Sequence, residues 1–473
     1  MRKGFAALAV LIAALLPGAA GGAETSSTRY LVVLAGEQTA TGFQLAGTHA
    51  AVDALVAAAG GRVANDLTRQ IGVLVAESTS GSFDEALAAS SLVSSVGGDF
   101  SWAGISAGGP QPSADPLETV QWDMQQIRTE QAHAVEAGLR AVDVGVLDSG
   151  IDGRHPDFLG ADGSNVDCSR GRNSVAFLPA GPGVGNPDPC TDNQFHGTHV
   201  AGTIAARANG LGIVGVAPNV TLVPVKVCDT SGFCYASAVV DGITYAGDQQ
   251  FDVINMSFFV DDDDFQASTE FKCMDDPVQK SFRQAVERAI QYARNRGVTP
   301  VAALGNSDED LAHPSEPNEN NCDVVPAETQ GVVGTMALGP RSEKAGYSNY
   351  GTGATDVAAP GGNGTTGDCR TTVLSTIPGG GYGCIQGTSM ASPHAAGVAA
   401  LIVSRFGVLG SDGDVKMSPQ KVEDYLQSTA VDIGLAGYDE CFGNGRIDAL
   451  RAVRHDTSAL ADPTAPHCPE YAE

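Results

Sequence analysis

The sequence predicts an α/β fold, a doubly wound and mostly parallel sheet, with a small α+β module ahead of it. Three observations carry this. From about Gln121 short apolar runs alternate with helical stretches, the pattern of a parallel sheet covered on both faces. Residues 29–103 show a separate strand and helix pattern of their own. Between the two, Gly104 to Pro116 is dense in Gly, Pro, Ser and Ala, the composition of a linker and a place where cleavage concentrates.

The elements follow in order. Arg2 and Lys3 precede an apolar run from Phe5 to Leu16, then Pro17, Gly18 and small residues. That run is too short to span a bilayer and has the form of a secretory signal, so residues 1–23 are expected to be removed after Ala20 or Ala23 and the product exported. Arg29 to Ala35 reads as a strand. Val52, Leu55, Val56 and Ala59 share one helix face, Ile71 to Glu77 reads as a second strand, Phe83 to Ala89 as a short helix and Leu92 to Val96 as a third strand. Beyond the linker, strands are expected at Val142–Asp148, Val220–Val227, Asp252–Met256, Val298–Ala303 and Val332–Ala337, within a main domain over 117–455 followed by a tail, 456–473. In such sheets functional residues gather past the carboxyl ends of the strands, where Asp148 and Asn306 fall.

A formal net charge of −28 argues against nucleic acid, which needs a basic footprint, and against an anionic membrane surface. It suits a highly soluble exterior or a part in substrate selection. The ten cysteines of an exported chain favour disulfides, and two CxxC motifs for a zinc site are missing. Neighbour pairing is the simplest expectation: Cys168–Cys190, Cys228–Cys234, Cys273–Cys322, Cys369–Cys384 and Cys441–Cys468.

Three motifs carry chemistry: Val146-Leu147-Asp148-Ser149-Gly150-Ile151-Asp152, His196-Gly197-Thr198-His199-Val200-Ala201-Gly202, and Gly387-Thr388-Ser389-Met390-Ala391-Ser392-Pro393-His394. Singly, each has a plain structural reading: a capping Asp, a His in a turn, an N-cap Ser. Together, in the order Asp, His, Ser, they resemble the subtilisin family of serine proteases over about Gln121 to Val453. The resemblance implies a serine endopeptidase with Ser389 as nucleophile, His196 as general base and Asp148 orienting the imidazole. Asn306, ending Val301-Ala302-Ala303-Leu304-Gly305-Asn306, would donate to the oxyanion. His155, His199 and His394 would support structure, and Met390 would be open to oxidation if exposed.

The stretch that lines the substrate strand in that family reads here Asn255-Met256-Ser257-Phe258-Phe259-Val260. Phe259 stands where glycine usually lets a substrate backbone approach, and Leu304 where a smaller residue is commoner. Ser257, Phe258, Phe259, Ala303, Leu304 and Gly305 are thus expected to bind substrate in a reshaped pocket. Asp261-Asp262-Asp263-Asp264 begins an insertion reaching about Pro277, read as a solvated loop, a selector of basic side chains or a cation site. The resemblance further implies a structural calcium ion held by Asp157, Asn209 and the carbonyls of Arg207, Leu211 and Ile213, although Asn209-Gly210 reads equally as an ordinary turn. The leading module resembles the family's βαββαβ propeptide, which implies a zymogen that cuts itself between about Phe100 and Pro116. Expected partners are protein or peptide substrates and the chain's own propeptide, with a monomeric enzyme. The rivals are a processing protease of narrow specificity and an inactive binding protein on the same fold.

Overall fold

Alternation of side chains along single strands decides how the layers stack. The structure is a computed structural model that describes residues 27–102, 117–175, 188–259, 277–312, 323–411 and 413–462. The expected signal segment 1–23, the linker 104–116, Asp261–Asp264 with the insertion up to 276, and the tail from 463 lie outside the described residues. The leading module runs β1 (Thr28–Leu34), α1 (His49–Ala58), β2 (Gly61–Leu67), β3 (Val73–Ser78), α2 (Phe83–Ala88) and β4 (Val93–Gly98). Its sheet is antiparallel in the order β2-β3-β1-β4. Along β1, Tyr30, Val32 and Leu34 face the module's own core with Val52, Val56, Phe83 and Leu87. Leu31 and Val33 point the other way and join the core of the main domain.

The main domain contains β5 (Asp143–Asp148), α3 (His196–Ala205), β6 (Thr221–Lys226), α4 (Ala236–Gln249), β7 (Val253–Met256), α5 (Pro277–Arg294), β8 (Thr299–Ala303), β9 (Val333–Leu338), β10 (Val357–Pro360) and α6 (Thr388–Phe406). With the two-residue strand Arg172–Asn173 at one edge, the sheet order is Arg172–Asn173, β6, β5, β7, β8, β9, β10, every pairing parallel. Val144 and Val146 face α3 and α6, whereas Leu147 faces the α4 and α5 side. Each strand is buried on both faces, which is why it reads as an apolar run.

The module seals against α4 and α5. Asp99 receives hydrogen bonds from Ser237 N–H (3.0 Å) and Ser237 Oγ (2.6 Å) at the start of α4. Ser95 Oγ donates to Gln284 Oε1 (2.7 Å), and the Arg288 guanidinium lies 4.7 Å from the Phe43 ring centroid. Past β4, Ser101–Trp102 pairs antiparallel with Cys234–Tyr235. Three expected disulfides are present: Cys168–Cys190, Cys228–Cys234 and Cys369–Cys384. Cys441 is also disulfide-bonded. Cys273, Cys322 and Cys468 lie outside the described residues.

One buried carboxylate burdens the sheet at alkaline pH. Asp252 accepts from Asp143 N–H (2.8 Å), and burial, with the Asp414 and Asp143 charges nearby, pushes its pKa up to about 8. A carboxyl raised in the folded state contributes stability below its unfolded pKa of about 4, and that contribution is lost as pH rises to its folded value. Asp252→Asn keeps an oxygen for Asp143 N–H and removes the charge. The variant is expected to gain at least about 2–4 °C in Tm at pH 9, with the gain shrinking toward pH 5. Thermal melts across that range check it; a gain independent of pH would refute the linkage.

Candidate active site

Two chain segments that are remote in sequence deliver an acid and an imidazole to one point. Asp148 closes β5 and is fully buried; His196 opens α3 and is 1% exposed. His196 Nδ1 lies 3.0 Å from both Asp148 oxygens. A ring nitrogen facing a carboxylate carries the proton, so Nδ1 is the donor and Nε2 keeps a lone pair. Nε2 is buried and has no hydrogen-bond partner among the described residues. Gly197 permits this closeness, because a Cβ there would run into Gly150 O and sit 3.1 Å from Asp148 Cβ.

Ser389 lies in the first turn of α6, after Gly387, and is 4% exposed. Its backbone N–H is among the first-turn amides that no carbonyl of the helix can satisfy. Its Oγ donates to Ser257 O (3.0 Å). Pro393 explains a second link: it lacks the N–H that would bond Ser389 O, and Ser257 Oγ donates there instead (2.9 Å). Asn255 Nδ2 donates to Ser257 Oγ (2.8 Å) and Ser392 Oγ donates to Asn255 Oδ1 (2.7 Å), so the end of β7 cradles the start of α6.

Asn306 is oriented just as tightly. Its Oδ1 accepts from Thr388 N–H and Thr388 Oγ1, both at 2.9 Å, which fixes the amide and leaves Nδ2 as the outward donor. Gly305 has φ 113° and a Cβ there would strike Asn349 Nδ2, so only glycine suits the bend that presents Asn306. Beside Asn306 opens a cavity of about 260 Å³, lined by Phe195, Tyr347, Thr366, Ile385, Gln386 and Gly387.

The other histidines hold structure. His199 Nε2 donates to Val373 O (3.2 Å) and Gly383 O (3.1 Å); burial and the neighbouring His196 lower its pKa to about 3, which keeps it neutral. His155 donates to Gly381 O (2.9 Å) and accepts from Asp157 N–H (3.1 Å), and burial lowers its pKa also. His394 bridges Met390 O (2.8 Å) and Asp123 Oδ2 (3.0 Å). Met390 is 1% exposed, so its sulfur is shielded from oxidants.

The expected substrate residues divide. Ile254, Met256 and Phe258 share one face, and Phe258 is fully buried in the core under α4 and α5; it is a core residue and does not meet substrate through its side chain. The same correction applies to Leu304, which follows Ala302 into that core because Leu304 N–H continues the ladder to Thr335 O (3.2 Å). Ser257 has the opposite parity and its hydroxyl is spent beneath Ser389. Ala303 is buried at the end of β8. Phe259 remains partly buried, with Cδ2 3.6 Å from where a Gly305 Cβ would lie.

The proposed cation ligands gather around Asp157. Arg207 N–H donates to Asp157 O (2.7 Å), Ile213 N–H to Asp157 Oδ2 (2.9 Å) and Leu211 N–H to Asn209 Oδ1 (2.9 Å). Asn209 Nδ2 donates to Pro156 O (3.1 Å) and Leu159 O (2.8 Å). The donors are all oxygen, which fits a hard cation in kind, but only one is a carboxylate. No cluster of three or more His, Cys, Asp or Glu suited to a metal occurs among the described residues.

Comparison with known proteins agrees with this architecture. The subtilase family model matches residues 140–445. The chain is 32% identical over 339 residues to subtilisin E of Bacillus subtilis (strain 168), which covers 71% of this chain and 72% of that protein. It is equally 32% identical over 339 residues to a subtilisin of Bacillus pumilus, covering 71% of this chain and 100% of the relative. Among solved structures, the epidermin leader peptide processing serine protease of Staphylococcus aureus superposes with a TM-score of 0.69 at 22% identity, over 92% of this chain and 100% of that one. A lanthipeptide protease superposes with a TM-score of 0.59 at 25% identity, over 73% and 99%. The chain belongs to the subtilase family and is a subtilisin-like serine endopeptidase.

Proposed function

We propose that the chain is a secreted endopeptidase that hydrolyses peptide bonds through an acyl-enzyme on Ser389 and is made as a zymogen that processes itself. The observation that carries this is the imidazole of His196, with Nδ1 on Asp148 and a bare, basic Nε2. As Ser389 Oγ bonds to the scissile carbonyl carbon, Nε2 takes its proton and Asp148 stabilises the imidazolium. The carbonyl oxygen becomes an oxyanion that accepts from Asn306 Nδ2 and Ser389 N–H. Collapse breaks the C–N bond, and Nε2 returns the proton to the departing amine. Water, deprotonated by the same nitrogen, then cleaves the ester and restores Ser389.

The path of the leading module supports autoprocessing. Ala236 N–H bonds Phe100 O (3.0 Å), and Ser101–Trp102 lies along Cys234–Tyr235. Tyr235 N–H reaches Val227 O (3.3 Å), and Val227 N–H reaches Asp148 O (2.9 Å), so the tail is laid on a strand two steps from the site. Disulfides support an oxidising destination, and no helix among the described residues is long and apolar enough to cross a membrane. The test is expression of the whole chain with a fluorophosphonate probe. The expected result is a mass shift on the Ser389 peptide and a chain cut between Phe100 and Pro116. An unlabelled, full-length product would overturn the reading.

Asn306→Ala is expected to lower kcat by about 10²–10³ with little change in KM, a magnitude taken from subtilisin itself. Steady-state kinetics on a chromogenic peptide check it; an equal loss in KM alone would remove Asn306 from the oxyanion site. For calcium, the loop around Asp157 supports a structural ion that carries no chemistry. Chelation is then expected to lower Tm in a way that added Ca²⁺ reverses and Mg²⁺ does not. A melt indifferent to chelator would leave Asn209-Gly210 a plain turn.

A second reading, narrow processing of one partner peptide, draws on Phe259 beside Gly305 and on the similarity to a lanthipeptide protease. A peptide-library digest separates the two: cleavage of many unrelated sequences supports the broad enzyme, and a single short motif supports the narrow one.

A further inference from the structure

The turn that delivers His196 is strained, and one buried carboxylate holds it. Phe195 has φ 105°, in the left-handed region that bulky residues rarely adopt. Asp192 is 4% exposed. Its Oδ1 accepts from Gln194 N–H, Phe195 N–H and Ser149 Oγ, each at 3.0 Å. Its Oδ2 accepts from Thr198 N–H (2.9 Å) and Thr198 Oγ1 (2.7 Å). Ser149 completes the connection: its Oγ accepts from Gly197 N–H (3.0 Å), and its N–H donates to Asp148 Oδ1 (2.7 Å). The loop before His196, the first turn of α3 and the end of β5 are therefore one hydrogen-bonded unit.

Behind this unit lies Lys226, fully buried and opposite Asp148 in the β5–β6 register. Its ammonium donates to Thr191 O (3.1 Å) and stands among the carboxylates of Asp192, Asp188 and Asp229. A helix cap needs only the bonds from Asp192 to the start of α3. The bond to Ser149 does something else: it ties that helix to the residue beside Asp148.

We propose that Asp192, acting through Ser149, is a positioning residue that sets the separation of Asp148 and His196. The inference rests on the roles given above to those two residues. A misplacement of about 1 Å in such a pair can lower turnover by about 10²-fold. It also weakens the carboxylate's support of the imidazolium.

The test uses the processed enzyme with Ser149→Ala, Asp192→Asn and the double variant, each normalised to sites titrated by a fluorophosphonate. Asp192→Asn also deletes a charge, so Ser149→Ala, which does not, is the decisive arm. The expected result for both is a kcat about tenfold to a hundredfold lower, a KM nearly unchanged, and an acid limb of the kcat/KM profile moved to lower pH. The double variant is expected to be no worse than the worse single one, because both break the same link. An unmoved pH profile in Ser149→Ala, a loss confined to the fraction of titratable sites, or additive losses would each overturn the proposal. Wild type that never labels at Ser389 would instead sink the reading on which it rests.

Discussion

Ser389→Ala is expected to accumulate as an uncut precursor and to lose about 10⁶ in kcat, the loss seen when subtilisin itself is deprived of its nucleophile. The substitution is a clean probe here. Ser389 is 4% exposed and its Oγ makes one hydrogen bond among the described residues, to Ser257 O, while Ser257 Oγ bonds the backbone of residue 389 whatever its side chain. The helix start, the Asn306 amide and the Asp148–His196 pair are therefore expected to survive, and Tm to change little. What disappears is the oxygen that, in the proposed mechanism, bonds to the scissile carbon. Activity left over would come from the oxyanion donors and from substrate binding alone. Intact-mass analysis and turnover of a chromogenic peptide check both halves. A variant that still sheds residues preceding Pro116 when purified from a protease-deficient host would show that cleavage is the work of another enzyme.

What could be read from the chain beforehand was local chemistry. Asp148, His196 and Ser389 each sit in a contiguous motif, because each must stand at the end of an element with small neighbours around it, and such constraints leave a trace over seven or eight residues. The five expected strands of the main sheet were legible for the same reason, being apolar runs buried on both sides. Gly61–Leu67 was not, since its exposed face and polar residues give no periodic signal, nor was Val357–Pro360, which holds one β-branched residue, two alanines and a proline. Side-chain parity was harder to read: Phe258 and Leu304 stand next to the expected substrate positions in sequence but face the core by strand alternation. Partners across long separations were also hidden. Nothing in the order of residues announces that Asn255 and Ser257 cradle Ser389, or that Ser149 reaches Asp192. Phe195 carries no mark of its left-handed backbone either.

Asp148→Asn is expected to lower kcat by about 10⁴ with KM nearly unchanged, although it removes one charge and almost no volume. The direction of the amide decides this. Ser149 N–H donates to Asp148 Oδ1 at 2.7 Å, so in the variant that position must remain an oxygen. The NH₂ group then takes the place of Oδ2, so His196 Nδ1, 3.0 Å from both carboxylate oxygens in the wild type, meets a donor on one side and on the other an oxygen already engaged by Ser149 N–H. Two donors cannot face each other there without loss, so Nδ1 becomes the acceptor and the ring proton moves to Nε2. An imidazole protonated at Nε2 presents a donor to Ser389 and cannot take its proton, and an amide does not stabilise the imidazolium that attack would create. The defect is thus one of tautomer, not of shape, and Tm should stay close to wild type. Histidine-selective ¹⁵N NMR of the processed enzyme reads the tautomer of His196 directly, beside kcat measured on the same sample. If the proton stays on Nδ1, or if more than about a tenth of wild-type turnover survives, then Asp148 does no more than hold the end of β5.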